Sequence, residues 1–201
     1  MAVVSHTLIA GFSDPVQQAQ QVFRALLKAM SEPGTLVSCS HTDELPAGLN
    51  SASWQLSLSL LDADTQVWLS PSLAGSDAVT SNLRFHCQCP ITDDVANADF
   101  IIADSSELPL LNDLNWGCAE YPDRSATLII QVPALSNEPF WNLTGPGIKT
   151  SRDLRIAGLS EQFRGALIQS RKRFPLGIDT IYCCGETLAA LPRTTQIKEV
   201  N

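Results

Sequence analysis

Lysine, histidine and tyrosine are all scarce in this chain of 201 residues: four, three and two of them respectively. Few lysines means few anchors for Schiff-base chemistry, and Lys28, Lys149, Lys172 and Lys198 are the whole set. No G-x-S-x-G elbow occurs, and His6, His41 and His86 fall in expected loops or helix ends. A Ser-His-Asp triad therefore has no credible members, and an independent hydrolase is not expected. No two cysteines show the C-x-x-C spacing of a zinc knuckle or thioredoxin motif. Apolar runs stay far short of the roughly 20 residues a spanning helix requires. The stretch Met1–Asp14 lacks the basic region of a secretory signal. A cytoplasmic, non-membrane protein is expected.

Basic residues are also outnumbered, 13 against 21 acidic, for a net charge of −8. That balance argues against general affinity for nucleic acid or anionic membrane, while leaving room for a local basic site. The apolar fraction of 44% is ordinary for a globular domain. At this length a chain buries about 70% of its unfolded surface and needs no staple. The six cysteines read as reduced and mostly buried. His86-Cys-Gln-Cys89 could begin a metal site, but no second cluster completes the four ligands that zinc prefers.

What is present reads as alternating helices and strands. Asp14-Pro15 starts a helix, with Val16, Ala19, Phe23, Leu26, Leu27 and Met30 along one face and Ser31-Glu-Pro-Gly34 as its stop. Burial of Phe23, Leu26 and Leu27 is expected, with a cost of about 3–5 kcal/mol for Phe23→Ala. Residues 35–39 predict a strand, 51–62 a helix, 66–70 a strand and 73–85 a helix. Residues 99–103, 126–132 and 140–144 predict strands, and 108–114 a short helix. Ser160 caps a helix reaching about Arg173, and residues 174–195 close the chain as a hairpin. Interleaved helices and strands predict a three-layer α/β domain with a mixed sheet.

Three constellations invite a functional reading. Asp179 lies in the hairpin's first strand, and Arg193, Thr194 and Thr195 follow the second. One guanidinium and two hydroxyls could bind an anion or hold a partner, or could cap the fold from within. Gly145-Pro-Gly-Ile-Lys-Thr150 resembles a phosphate loop only superficially. Ile148 separates Gly147 from Lys149, and Pro146 removes a backbone donor, so a tight turn is expected. Leu83-Arg-Phe-His86 places Arg84 and His86 at a helix end, where both suit the macrodipole and are also candidate interface or anion-binding residues.

Four passages together carry a family resemblance: Phe23–Gly34, Leu83–His86, Leu143–Ile148 and Phe174–Thr195. In order and spacing the chain resembles, from residue 12 to 198, the H-subunit family (PhnH) of the bacterial carbon–phosphorus lyase core complex. The resemblance implies a single domain over 12–198, preceded by a variable and poorly ordered segment, 1–11. It implies the fold of pyridoxal-phosphate-dependent transferases without the cofactor, and no cofactor of another kind. It implies a homodimer in isolation and assembly with the G, I and J subunits. The complex displaces adenine from ATP by a phosphonate, giving ribose 1-phosphonate 5-triphosphate, and no catalytic residue carries over to this chain. The alternatives are a pyridoxal-phosphate enzyme using Lys149 and a small anion-binding module using Arg193 and the Gly145 turn. The candidate interface joins Asp179, Arg193, Thr194 and Thr195 to the Gly145–Gly147 turn, with Arg193→Glu expected to break the dimer but not the fold.

Overall fold

The computed structural model describes residues 8–200. The first helix, α1 (Pro15–Ser31), begins as its sequence dictates: the Asp14 side chain accepts a hydrogen bond from the Gln17 amide, and Pro15 occupies the first turn. Next come β1 (Val37–Ser38), α2 (Ser51–Leu60), β2 (Val67–Leu69), α3 (Pro71–Ala74) and α4 (Asp77–His86). Strands β3 (Phe100–Asp104), β4 (Thr127–Gln131), β5 (Leu135–Thr144) and β6 (Arg152–Ile156) follow. The chain ends with α5 (Glu161–Ser170), β7 (Asp179–Cys184), β8 (Thr187–Leu191) and β9 (Gln196–Glu199).

Six strands form a mixed sheet in the order β1-β8-β7-β4-β3-β2, and three form a second sheet, β6-β5-β9. Strands β2, β3, β4 and β7 run parallel, and β8 returns antiparallel on β7. The central strands are nearly continuous in apolar side chains because both their faces are covered. Ile102, Ile129 and Ile181 face α1, α2 and α4, around the fully buried Trp54. Ile101, Leu128 and Tyr182 face α5 and the second sheet, around Trp141. Adjacent Cys183 and Cys184 obey the same alternation and lie on opposite faces. The result is a mixed-sheet α/β architecture in three layers, with the closing hairpin inside the main sheet.

Several expectations need correction. The core contact of α1 is made by Val22, Leu26 and Ala29, whereas Phe23 is 44% exposed, Leu27 50% and Val16 81%. The apolar arc of the helix extends beyond its buried contacts, so the flank carrying Phe23 and Leu27 remains exposed. The helix expected over 73–85 is two, because the Ser76 side chain accepts from the Val79 amide and starts α4 afresh. Residues 108–114 hold only a 3-10 turn, Leu111–Asp113. The helix ending at Arg173 is α-helical to Ser170 and 3-10 from Arg171 to Arg173. Strands β6 and β9, and with them the second sheet, were not anticipated, since their polar, charged sequences show little apolar alternation.

Within residues 8–11, Leu8 and Ala10 are exposed and Ile9 and Gly11 half-buried. The Ile9 amide donates to Asn82 Oδ1, and its carbonyl lies 3.0 Å from His86 Nε2. The rest of the expected variable segment, residues 1–7, lies outside the described residues.

Candidate functional site

The residues singled out in the sequence fall into two separate places. Asp179 and Arg193 form a shielded ion pair, with side chains 16% and 15% exposed. Asp179 Oδ1 accepts from the Arg193 amide at 2.7 Å, and Oδ2 accepts from Nη2 at 2.6 Å. Arg193 Nη1 donates to the Pro122 carbonyl. Its guanidinium is therefore directed inward, bracing the hairpin against the 122–124 turn. Thr195 is buried and Thr194 half-buried. Gly145 packs on this segment, its position lying 3.1 Å from Thr194 O for any added Cβ. Gly147 turns back onto Ser31. Arg84 and His86 lie across the main sheet on α4, where His86 stacks edge-on against Trp54 and Phe85 and receives the Ile9 segment.

The concave surface lies elsewhere, outside the carboxyl ends of the parallel strands, where open α/β sheets bind their ligands. Asp104 ends β3, Gln131 ends β4 and Cys184 ends β7. They line a crevice of about 610 Å³ together with Asn50 and Ser105. A polar network fixes its floor. Gln131 Nε2 donates to Asp104 Oδ1 at 3.0 Å and to the Gly48 carbonyl at 2.8 Å. Gln131 Oε1 accepts from the Asn50 amide, and Asn50 Nδ2 donates to the Cys183 carbonyl. Beside it, Glu107 Oε2 accepts from both the amide and the hydroxyl of Ser72, which holds its carboxyl below the usual carboxylate range.

A second cavity of about 490 Å³ shares Ser105 and Ser106 with the crevice and runs between the loop after β3 and α5. Its floor includes Leu111 and the buried Phe163, and its rim carries Asn112 and Gln162. The sequence offered one signal for this region: an apolar strand ending in Asp104-Ser-Ser-Glu107, polar groups placed where a parallel strand stops.

Other chemistry is sparse. All four lysines are exposed, and Lys149 sits at the surface after the Gly145–Gly147 turn. Among the described residues, no group of three or more His, Cys, Asp or Glu side chains is arranged to hold a metal ion. Burial pushes the Cys39 thiol up to about 11 and Cys183 to about 12. Cys87 Sγ donates to the Ser57 carbonyl at 3.5 Å, and the neighbouring Cys87 and Cys89 thiols shift in opposite directions, the first up and the second down. Among the described residues no helix is long and apolar enough to cross a membrane.

Known proteins agree with the sequence motifs. Residues 10–198 match the family described as bacterial phosphonate metabolism protein (PhnH). The chain is 36% identical over 199 residues to a Rhizobium meliloti (strain 1021) protein named alpha-D-ribose 1-methylphosphonate 5-triphosphate synthase subunit PhnH. That similarity covers 98% of this chain and 99% of the relative. It is 31% identical over 180 residues to the putative C-P lyase subunit protein HtxG of Stutzerimonas stutzeri, covering 89% of this chain and 85% of that one. With near-complete coverage, this chain belongs to the PhnH family.

Proposed function

We propose that the protein is a non-autonomous subunit of the carbon–phosphorus lyase machinery. In this reading it supports formation of ribose 1-phosphonate 5-triphosphate from ATP and an alkylphosphonate during phosphonate utilisation. The observation that carries this reading is the 36% identity across essentially the full length of both chains to a named subunit of that synthase. The crevice's Asp104 is engaged by Gln131 and the neighbouring Glu107 by Ser72, which supports the non-autonomous part.

The finer features follow the same reading. The domain over 12–198 is taken as the transferase-like core of the family, working in the cytoplasm without pyridoxal phosphate; exposure of every lysine supports the last point. The partners are the G, I and J subunits, with a homodimer in isolation. The Gly145–Gly147 turn and Thr194 form part of the contact surface, braced from behind by Asp179 and Arg193. Surface position of Pro146 and Gly147 supports that assignment.

The test is reconstitution. The purified chain, given ATP and methylphosphonate, yields no ribose 1-methylphosphonate 5-triphosphate by phosphorus NMR. Added to the other subunits of the synthase, it yields product. Turnover by the chain alone, abolished by a point substitution within it, overturns the reading.

A further inference from the structure

We infer that the cavity between the 105–112 loop and α5 binds the adenosine part of a nucleotide and leaves the phosphates outside this chain. Its lining, among the described residues, contains neither Lys or Arg nor Asp or Glu. A phosphate site needs cations or convergent backbone donors, so a triphosphate gains nothing here. The apolar floor of Leu108, Leu111, Leu159 and Phe163 suits instead the face of a flat neutral ring. The volume of about 490 Å³ falls in the range of small-molecule sites.

Two amide side chains select among rings. Asn112 lies on the loop and Gln162 on the helix, both exposed, and neither side chain makes a hydrogen bond to another described residue. A carboxamide offers a donor and an acceptor side by side, which matches adenine N7 and N6; guanine O6 and N7 call for Arg or Lys. Where the cavity and the neighbouring crevice meet at Ser105 and Ser106, Asp104 lies at the end of β3, with Glu107 close by in sequence. Carboxylates placed after a parallel strand accept from ribose hydroxyls, so the sugar is directed toward the crevice. The named product of the Rhizobium meliloti relative keeps a ribose with a 5-triphosphate, the non-base half of a nucleoside triphosphate. The biological sense of the site rests on the synthase-subunit reading; the binding itself does not.

Titration calorimetry on the purified chain decides the matter, with adenosine, ATP, guanosine and inorganic triphosphate as probes. Adenosine and ATP bind with affinities within about threefold of each other, and neither weakens appreciably between 50 and 500 mM salt, about what a site without phosphate contacts requires. Guanosine binds at least about tenfold more weakly and triphosphate fails to compete. Ala166→Trp, an exposed position on the cavity wall, abolishes adenosine binding while the circular dichroism spectrum and melting temperature stay unchanged. Gln162→Ala, also exposed, weakens adenosine but not the residual guanosine binding. No adenosine binding at millimolar concentration, displacement by triphosphate, or unaltered binding by the folded Ala166→Trp chain each overturns the inference. Any of these can occur while reconstitution succeeds, so failure here is distinct from failure of the subunit reading.

Discussion

Gly147 lies so close to the carbonyl of Ser31 that a Cβ at this position would collide with the oxygen. Its φ of +81° adds a second demand that only glycine meets cheaply. The turn after β5 is thereby pressed against the end of α1, joining segments more than a hundred residues apart. Arg152 ties the same junction by donating from Nη1 to the carbonyls of Glu32 and Pro33. Gly147→Ala is expected to destabilise the fold by about 2 kcal/mol or more, from left-handed strain and the backbone clash together. Gly165, inside α5 with open space around it, provides the opposite case: Gly165→Ala stabilises by roughly 0.5–1 kcal/mol. Urea denaturation of the two variants should move the midpoints in opposite directions.

On α1 the two faces of one apolar arc should behave differently. Leu26→Ala removes a buried side chain and costs about 2–5 kcal/mol. Phe23→Ser changes an exposed flank and costs less than about 1 kcal/mol in the isolated chain. Equal losses for the two variants, measured by thermal melting, would place the core on the wrong side of the helix.

Arg193→Glu sets a second carboxylate against Asp179 in a shielded site and leaves the Pro122 carbonyl without its donor. The expected loss is on the order of 3–5 kcal/mol, that of breaking a buried pair, so the folded state itself suffers. Arg193→Glu paired with Asp179→Arg recovers part of it, and a double-mutant cycle in urea gives the coupling.

Alkaline pH should weaken the fold. Burial raises Tyr182 to about 12 from an ordinary 10, and Cys183 and Cys39 to about 12 and 11 from 9. In the unfolded chain these groups lose protons first, so the unfolded state gains as pH rises. Stability is fully present below about pH 9 and declines progressively to about pH 12. Tyr182→Phe removes the component between about 10 and 12, and urea midpoints collected across the window should show a shallower decline. A midpoint indifferent to pH up to 12 would contradict the burial of all three groups.

Local chemistry made the parallel core and the capped helices legible. Asp14-Pro15 specified the start of α1, Asn50 that of α2 and Ser160 that of α5, each through a side-chain oxygen accepting a nearby amide. The unbroken apolar runs of β3 and β4 gave away strands covered on both faces. What escaped depends on tertiary context. Strand β6, Arg-Asp-Leu-Arg-Ile, is defined by its pairing with β5 and by single buried residues, not by composition. The inward use of Arg193 depends on Pro122, which lies 71 residues away. The cavity along α5 forms where the 105–112 loop meets a distant helix, and only the Asp104-Ser-Ser sequence hinted at it.

Growth on a phosphonate tests the central claim most directly. A Rhizobium meliloti strain deleted for its own PhnH is supplied with this chain and given methylphosphonate as sole phosphorus source. The account predicts restored growth, and none when the same strain carries Gly147→Ala at a temperature that unfolds the variant. A folded, stably produced chain that leaves the strain unable to grow, while the strain's own subunit restores it, would contradict the account.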